Sequence, residues 1–78
     1  MLTAVNMPSQ VPGADSPLLL RLCKQVGDRV CVGETLFVYE HDGAAFEENS
    51  AVAGAIVACF YTVGDRVSGG VPIMMIEL

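Results

Sequence analysis

Apolar residues occur in short runs along the chain, not at the spacing of a helix. The runs Pro17–Cys23, Thr35–Glu40, Ala55–Tyr61 and Pro72–Glu77 are bounded by glycine, proline, aspartate or serine. Short apolar runs with such boundaries are typical of β-strands. Because no segment carries the apolar stripe of an amphipathic helix, the pattern predicts an all-β fold.

Glycine and aspartate mark the reversals between these strands. Gly27-Asp28 and Gly64-Asp65 each combine a residue that tolerates positive φ with a carboxylate that can accept hydrogen bonds from nearby backbone N–H groups. Gly33 and Gly70 predict a second reversal after each of these pairs, and Gly54 is also predicted to be a structural turn position. The stretch 41–43, His-Asp-Gly, is predicted to be a hairpin tip, because Asp-Gly strongly favours tight primed turns.

The pentapeptide Val-Gly-Asp-Arg-Val occurs twice, at Val26–Val30 and at Val63–Val67, 37 positions apart. The similarity continues at the same offset and without gaps between Leu18–His41 and Ala55–Leu78. Such self-similarity indicates an internal duplication. We therefore expect one domain, residues 1–78, in which two related halves, about 1–40 and 41–78, close around one core.

Composition and charge narrow the class of protein. The chain is 53% hydrophobic and only 17% charged, which is typical of a globular domain and not of a disordered one. Its longest apolar run, Ala51–Tyr61, is about half of what a membrane span needs. No lysine or arginine precedes Arg21, so the sequence predicts no signal or transit peptide. Nine acidic residues against four scattered basic ones argue against nucleic acid and anionic membrane surfaces as partners.

Cys23, Cys31 and Cys59 are odd in number and lack the spacing of a metal motif, which argues against a disulfide framework or a zinc site. They are predicted to be reduced, small core residues of a protein in a reducing compartment. The predicted location is therefore the cytoplasm, with the mitochondrial matrix as the alternative. Three thiols in a small hydrophobic chain leave self-association open.

Polar residues concentrate at the predicted hairpin tip. Glu40, His41 and Asp42 offer two carboxylates and an imidazole, but consecutive strand residues point to opposite faces, so a solvated turn is favoured over a metal site. No serine or cysteine lies close to His41 in sequence, which disfavours nucleophilic catalysis and an enzyme in its own right. Glu47-Glu48-Asn49 predicts a solvated acidic face that could also serve for docking.

The joint spacing of these motifs resembles the lipoyl domain of 2-oxo acid dehydrogenase acyltransferases, a member of the lipoyl/biotinyl type of carrier domain. The stretch 27–34, Gly-Asp-x-Val-x-x-Gly-Glu, is similar to the family's G-D-x-V-x-x-G-D, and Glu40-x-Asp42-x-Ala44 to its E-T-D-K-A hairpin. Nearly the whole chain is covered; the further matching positions are Met7-Pro8, Pro12, Asp15 and Gly54. The resemblance implies a flattened barrel (barrel-sandwich hybrid) of two four-stranded antiparallel sheets with quasi-twofold symmetry.

The sequence departs from the family at the residue that carries the chemistry. In lipoyl domains the lysine of D-K-A holds lipoate in amide linkage, and the equivalent lysine of biotinyl domains holds biotin. Here Gly43 stands between Asp42 and Ala44, and glycine has no amine, so no cofactor is expected. The only lysine, Lys24, precedes Gly27 by three residues and is predicted to be a solvated surface residue.

The resemblance leaves two classes of function open. The favoured one is a non-catalytic interaction or scaffold module. Its partners would be the other components of a 2-oxo acid dehydrogenase complex, or the attachment enzymes, which would dock on it. The alternative is an acyl-carrier domain whose arm is attached elsewhere or was removed by substitution at Gly43. His41 and Phe46 also depart from the commonest family residues, which favours natural divergence. Lysine-less domains of membrane-fusion adaptors commonly carry a helical hairpin at the tip, whereas Glu40–Gly54 is uninterrupted.

Overall fold

The computed structural model describes residues 1–9 and 16–78, and within them the all-β prediction is confirmed. The strands are β1 Leu2–Asn6, β2 Leu18–Leu22, β3 Arg29–Val30, β4 Thr35–His41, β5 Ala44–Asn49, β6 Gly54–Cys59 and β7 Pro72–Glu77. These two ranges contain no helix long and apolar enough to cross a membrane. Pro12 and Asp15, which the resemblance matched, lie outside the described residues.

The strands form two antiparallel sheets, one with the order β1-β7-β6-β3 and one with the order β2-β4-β5. The fold class is therefore the expected flattened barrel, with one difference in strand count. The fourth strand of the second sheet is reduced to a single bridge between Leu18 and Arg66. Its counterpart in the first sheet, β3, consists only of Arg29–Val30. A strand this short is reduced to a single bridge when one residue pair is lost.

Backbone hydrogen bonds repeat at the offset of the sequence repeat. The amide of Gly27 donates to the carbonyl of Ile56 at 2.9 Å, and the amide of Gly64 donates to the carbonyl of Leu19 at 2.8 Å. Gly64 lies 37 positions after Gly27, and Leu19 lies 37 positions before Ile56. In both cases a turn from one half of the chain is bonded to a strand of the other half.

The two Gly-Asp turns are closed in the same way. The carboxylate of Asp28 accepts the backbone N–H of Gln25 at 2.8 Å, and that of Asp65 accepts the backbone N–H of Thr62 at 2.9 Å. The glycines at 27, 33, 64 and 70 all have positive φ. Each aspartate therefore satisfies a turn donor that would otherwise depend on water.

A single core fills the space between the sheets. Its buried hydrophobic residues are Met7, Leu19, Val30, Leu36, Phe37, Tyr39, Ile56, Val67, Ile73, Met74 and Ile76. The prediction of core cysteines is wrong for Cys23 and Cys31, which are exposed, whereas Cys59 is half-buried and packs against the core. Cys23 follows the end of β2 and Cys31 follows the end of β3, so neither lies on an inward sheet face.

Gly54 was expected among the turn positions but begins β6. Its φ is not positive, so backbone freedom does not explain the glycine. A Cβ at this position would collide with the backbone carbonyl of Glu77 and approach Cγ2 of Ile76 to 2.8 Å. Gly54 is required because β7 passes too close for any side chain.

The chain ends and the hairpin tip occupy equivalent places. β4 and β7 are repeats of each other; β5 pairs with β4, and β1 pairs with β7. His41 pairs with Ala44 at the tip, and the amide of Leu78 donates to the carbonyl of Met1 at 2.9 Å at the corresponding corner of the other half. The quasi-twofold axis thus relates the tip to the first and last residues.

Candidate functional site at the hairpin tip

The tip is a two-residue turn in which both central residues have a left-handed backbone. Asp42 has φ 52° and Gly43 has φ 80°, and His41 and Ala44 flank them as a strand pair. These values are those of a type I′ turn, as Asp-Gly predicts. A Cβ on Gly43 would meet no atom within 4 Å, so the cost of a side chain there comes from φ and not from a collision.

A small polar cavity of about 130 Å³ lies beneath this turn. It is lined by Ser16, Glu40, His41, Asp42, Gly43 and Arg66. Arg66 belongs to the second pentapeptide copy, and its Nη1 donates to the carbonyl of Ser16 at 2.9 Å. The sequence analysis did not predict Ser16 and Arg66 as part of this site. The repeat could have indicated Arg66, because Arg66 bridges Leu18 in the way that its equivalent Arg29 pairs with Ala55.

The prediction of a solvated turn is wrong for His41, whose side chain is only 11% exposed. His41 shares a strand face with Tyr39, which is buried, because alternate strand residues point the same way. Its Nδ1 is 3.6 Å from the Asp42 carboxylate, too long for a hydrogen bond, and its buried Nε2 has no partner among the described residues. No metal-binding group of three side chains occurs in the described part of the chain.

Aromatic residues support the hairpin below the tip. The rings of Tyr39 and Phe46, which face each other across β4 and β5, are stacked with centroids 5.5 Å apart. The ring of Phe37 lies on the same side of β4, with its centroid 6.2 Å from that of Tyr39. Such cross-strand aromatic pairs add about 0.5–1.5 kcal/mol beyond the area they bury. The two strands below the tip are therefore stabilised by side-chain packing as well as by their backbone hydrogen bonds.

Lys24 lies far from the tip and is held in place. Its Nζ is 3.1 Å from the Glu34 carboxylate and donates to the carbonyl of Arg29 at 3.3 Å, with the side chain 21% exposed. Leu18, at the other end of β2, is the residue that pairs with Glu40 next to the tip. β2 rises about 13 Å from Leu18 to Leu22, and Lys24 lies two residues beyond that far end of the strand. The lysine is more enclosed than the predicted solvated side chain.

The same carboxylate closes the turn that contains Gly33. Oε1 of Glu34 accepts the backbone N–H of Cys31 at 2.6 Å. This bond first, and the Lys24 ammonium second, lower the pKa of Glu34 from its ordinary value of 4.5. The ionised form of Glu34 is thus the one that holds this turn and Lys24 together.

The family is shown by comparison with known proteins. The sequence profile of the Biotin_lipoyl family, described as "Biotin-requiring enzyme", matches residues 3–76. The chain therefore belongs to this family of carrier domains, in which biotin or lipoate is attached to a lysine. The resemblance drawn from the motifs of the hairpin and the turns is confirmed.

The chain is also similar to parts of two longer proteins. The chain is 31% identical over 70 residues to the "Dihydrolipoyllysine-residue acetyltransferase component of pyruvate dehydrogenase complex" of Haemophilus influenzae, covering 87% of this chain and 12% of that protein. It is 53% identical over 64 residues to a "Putative thymidine phosphorylase" of Rhodopseudomonas palustris, covering 78% of this chain and 12% of that protein. The domain thus corresponds to about an eighth of each relative.

Proposed function

We propose that this chain is a lysine-less lipoyl-like domain that acts as an interaction or scaffold module and not as a swinging arm. The observation that carries the proposal is the residue at the tip. Gly43 stands where the family attaches its cofactor, and it offers no amine for an amide bond. We expect no covalent lipoate or biotin at this position.

The backbone of the tip supports the same proposal. At φ 80°, a residue with a side chain is strained by about 1–2 kcal/mol, whereas glycine is not. The turn is therefore formed in a way that suits glycine at position 43. This geometry fits a tip that has adapted to the absence of lysine.

Features around the tip remain available for recognition by partner proteins. Glu40, Asp42 and Ala44 keep the family's residue types at their family spacing, on a hairpin braced by Tyr39 and Phe46. We propose that the proteins which dock lipoyl domains, namely other components of 2-oxo acid dehydrogenase complexes or attachment enzymes, recognise this surface. We further propose a reducing compartment, because exposed thiols persist as thiols there.

In the alternative, a carrier whose arm is attached elsewhere, an arm held by an amide to lysine would need Lys24, the only lysine of the chain. An arm on Lys24 would first have to displace Glu34 from the ammonium group, 3.1 Å away. It would also begin beyond Leu22, the end of β2 that lies away from the tip. These two features favour the scaffold role over the carrier role.

Mass spectrometry after incubation with a lipoate-attaching enzyme, lipoate and ATP tests the proposal. We expect the native chain to keep its unmodified mass and Gly43→Lys to gain one lipoyl group. Gly43→Arg is the matched control, because it places a long cation on the same backbone but cannot form the amide. Each variant is also made with Lys24→Arg, which removes the native lysine.

The outcomes separate the two functions. A lipoyl group on the native chain that disappears with Lys24→Arg would establish the carrier alternative and overturn the proposal. If Gly43→Lys folds, as judged by its circular dichroism, and still gains no lipoate, docking of attachment enzymes at this tip is ruled out. The partners would then have to be sought among proteins that do not read the hairpin.

A further inference from the structure

A second, larger cavity opens between the free edges of the two sheets. It measures about 270 Å³ and is distinct from the tip. It is lined by Thr3, Ala4, Val5, Asn6, Leu36, Glu48, Asn49, Ser50, Ala51 and Val52. One wall is β1, an edge strand of the first sheet, and the other is the end of β5, an edge strand of the second.

The β1 wall presents backbone groups that are ready to pair. Because the amide of Leu78 donates to the carbonyl of Met1, and hydrogen-bonded pairs alternate along an antiparallel ladder, Leu2 and Ala4 direct their N–H and C=O groups away from β7. In the described part of the chain, no further strand pairs with this edge. β1 therefore offers one side of a ladder without a partner strand.

The two edge strands differ in the charge that normally protects an edge from pairing. β5 contains Glu47 and Glu48, whereas the equivalent positions of β1 are Ala4 and Val5. Charged residues on an edge strand discourage the addition of another strand. Of two edges related by the quasi-twofold axis, only β5 carries such protection.

Glu48 lies in the groove without a partner. Its half-buried carboxylate forms no hydrogen bond or ion pair with the residues that the structure describes. Burial raises the pKa of Glu48 above its ordinary value of 4.5. A partly desolvated carboxylate of this kind gains most from a cation placed beside it.

We propose that this groove binds an extended peptide segment carrying a lysine or arginine, supplied by a partner protein. The segment adds a strand to the free edge of β1, through the backbone groups of Leu2 and Ala4, and places its cation against Glu48. This mode of binding combines backbone pairing for affinity with one side-chain pocket for specificity. It does not depend on the tip, so it holds whether or not position 43 can be modified.

A second copy of this chain fits the groove less well than a basic segment. The chain carries a formal net charge of −5, so two copies repel each other. Its four basic residues are Arg21, Lys24, Arg29 and Arg66, and none of them lies on β1 or β5, the two strands that border the groove. The occupant is therefore a partner of opposite charge.

The probe is a blocked pentapeptide, acetyl-Thr-Val-Lys-Val-Thr-amide, titrated into the ¹⁵N-labelled protein. We expect amide shifts at Leu2, Ala4 and residues 48–52, with slowed hydrogen exchange at Ala4. The same peptide with glutamate in place of lysine should bind about tenfold more weakly, because it sets a like charge against Glu48. Binding of the lysine peptide should weaken with added salt.

Three variants assign the contacts. Glu48→Gln should weaken binding of the lysine peptide by about fivefold, an effect typical of one partly exposed ion pair. Glu47→Gln, the matched control, removes the same charge one residue outside the groove and should change binding by less than about twofold. Ala4→Pro removes an edge N–H without breaking the β7 ladder and should abolish binding while the thermal melting midpoint stays close to that of the native chain.

Four results would overturn the proposal. They are equal affinity for the lysine and glutamate peptides, amide shifts confined to residues 40–43, the absence of shifts at about 1 mM peptide, and a dimer of the chain alone that Ala4→Pro dissociates. The last result would make a second copy the occupant of the groove.

Discussion

At the scale of single residues, two glycines of this domain are needed for different physical reasons. Gly43 has φ 80° and open space around it, whereas Gly54 has ordinary backbone angles and no space. The first is a demand of backbone conformation at the tip. The second is a demand of packing, because the carbonyl of Glu77 lies where a Cβ would stand.

Alanine substitutions should separate these two demands. We expect Gly43→Ala to lower the free energy of unfolding by about 1 kcal/mol, through its φ alone. Gly54→Ala should lower it by about 3 kcal/mol, because β6 and β7 must move apart. Urea denaturation followed by circular dichroism measures both. Gly27→Ala, with φ 98° and no neighbour within 4 Å, should match Gly43→Ala; a larger loss at 43 than at 54 would contradict this account.

Neighbouring residue types predicted the turn at the hairpin tip better than they predicted which side chains are buried. Asp-Gly was enough to predict the type I′ turn, because that preference is a property of two adjacent residues. The burial of His41 and the exposure of Cys23 were missed, since burial depends on which strand face meets the core and where each strand ends. The need for Gly54 could not be read from its surroundings in sequence, because the colliding carbonyl belongs to Glu77.

At the scale of elements, two glutamates experience opposite environments. Glu34 closes the turn between β3 and β4 through the amide of Cys31 and the ammonium of Lys24. Glu48 lies on the edge strand β5 without a described partner, and burial disfavours its charge. The pKa of Glu34 is lowered and that of Glu48 is raised, both from an ordinary value of 4.5.

These shifts give opposite dependences of stability on pH. The lowered pKa of Glu34 means that its contribution is present above pH 4.5, the ordinary value, and is lost as pH falls through the folded-state pKa. Glu34→Gln should therefore be less stable than the native chain at pH 7 and approach it in acid. Denaturant midpoints at a series of pH values measure the difference.

Glu48→Gln is the matched comparison, because it removes the same charge from the other environment. The raised pKa of Glu48 means that ionisation costs stability once pH rises above 4.5. This variant should be more stable than the native chain at pH 7, and the gain should vanish below pH 4.5. A loss of stability at pH 7 would contradict the assignment of Glu48 as an unpaired carboxylate.

Hydrophobic patterning predicted the central strands but not the edges. β2, β4, β6 and β7 coincide with the four apolar runs, because these strands supply most of the core. β1 and β5 are mostly exposed, and their few apolar residues lie beside polar ones, so neither strand forms a run as long as those of the other four. The groove between these two edges was for the same reason invisible in the sequence pattern, although Glu48 was noted as part of an acidic face.

Across the molecule as a whole, each copy of the duplicated pentapeptide forms a turn that is hydrogen-bonded to a strand of the other half. The turn at Gly27 is bonded to β6, and the turn at Gly64 is bonded to β2, so each half completes the other. Neither half has a closed core of its own. The cooperativity of unfolding should therefore belong to the full domain.

The equivalence of the hairpin tip and the chain ends makes this domain a candidate for circular permutation. Joining Leu78 to Met1 through Asp-Gly and opening the chain between Asp42 and Gly43 should preserve both sheets, because the Met1–Leu78 hydrogen bond already matches the pair that flanks the tip. Amide spectra of the permutant should retain the native strand pattern. A permutant opened within β6, between Ile56 and Val57, should fail to fold.

A folded permutant would change the order of the strands along the chain without changing their neighbours in space. The barrel has two corners of the same geometry, one at Met1 and Leu78 and one closed by Asp42 and Gly43. The two corners are therefore interchangeable as the place where the chain is joined, whereas the pairing of the strands defines the domain.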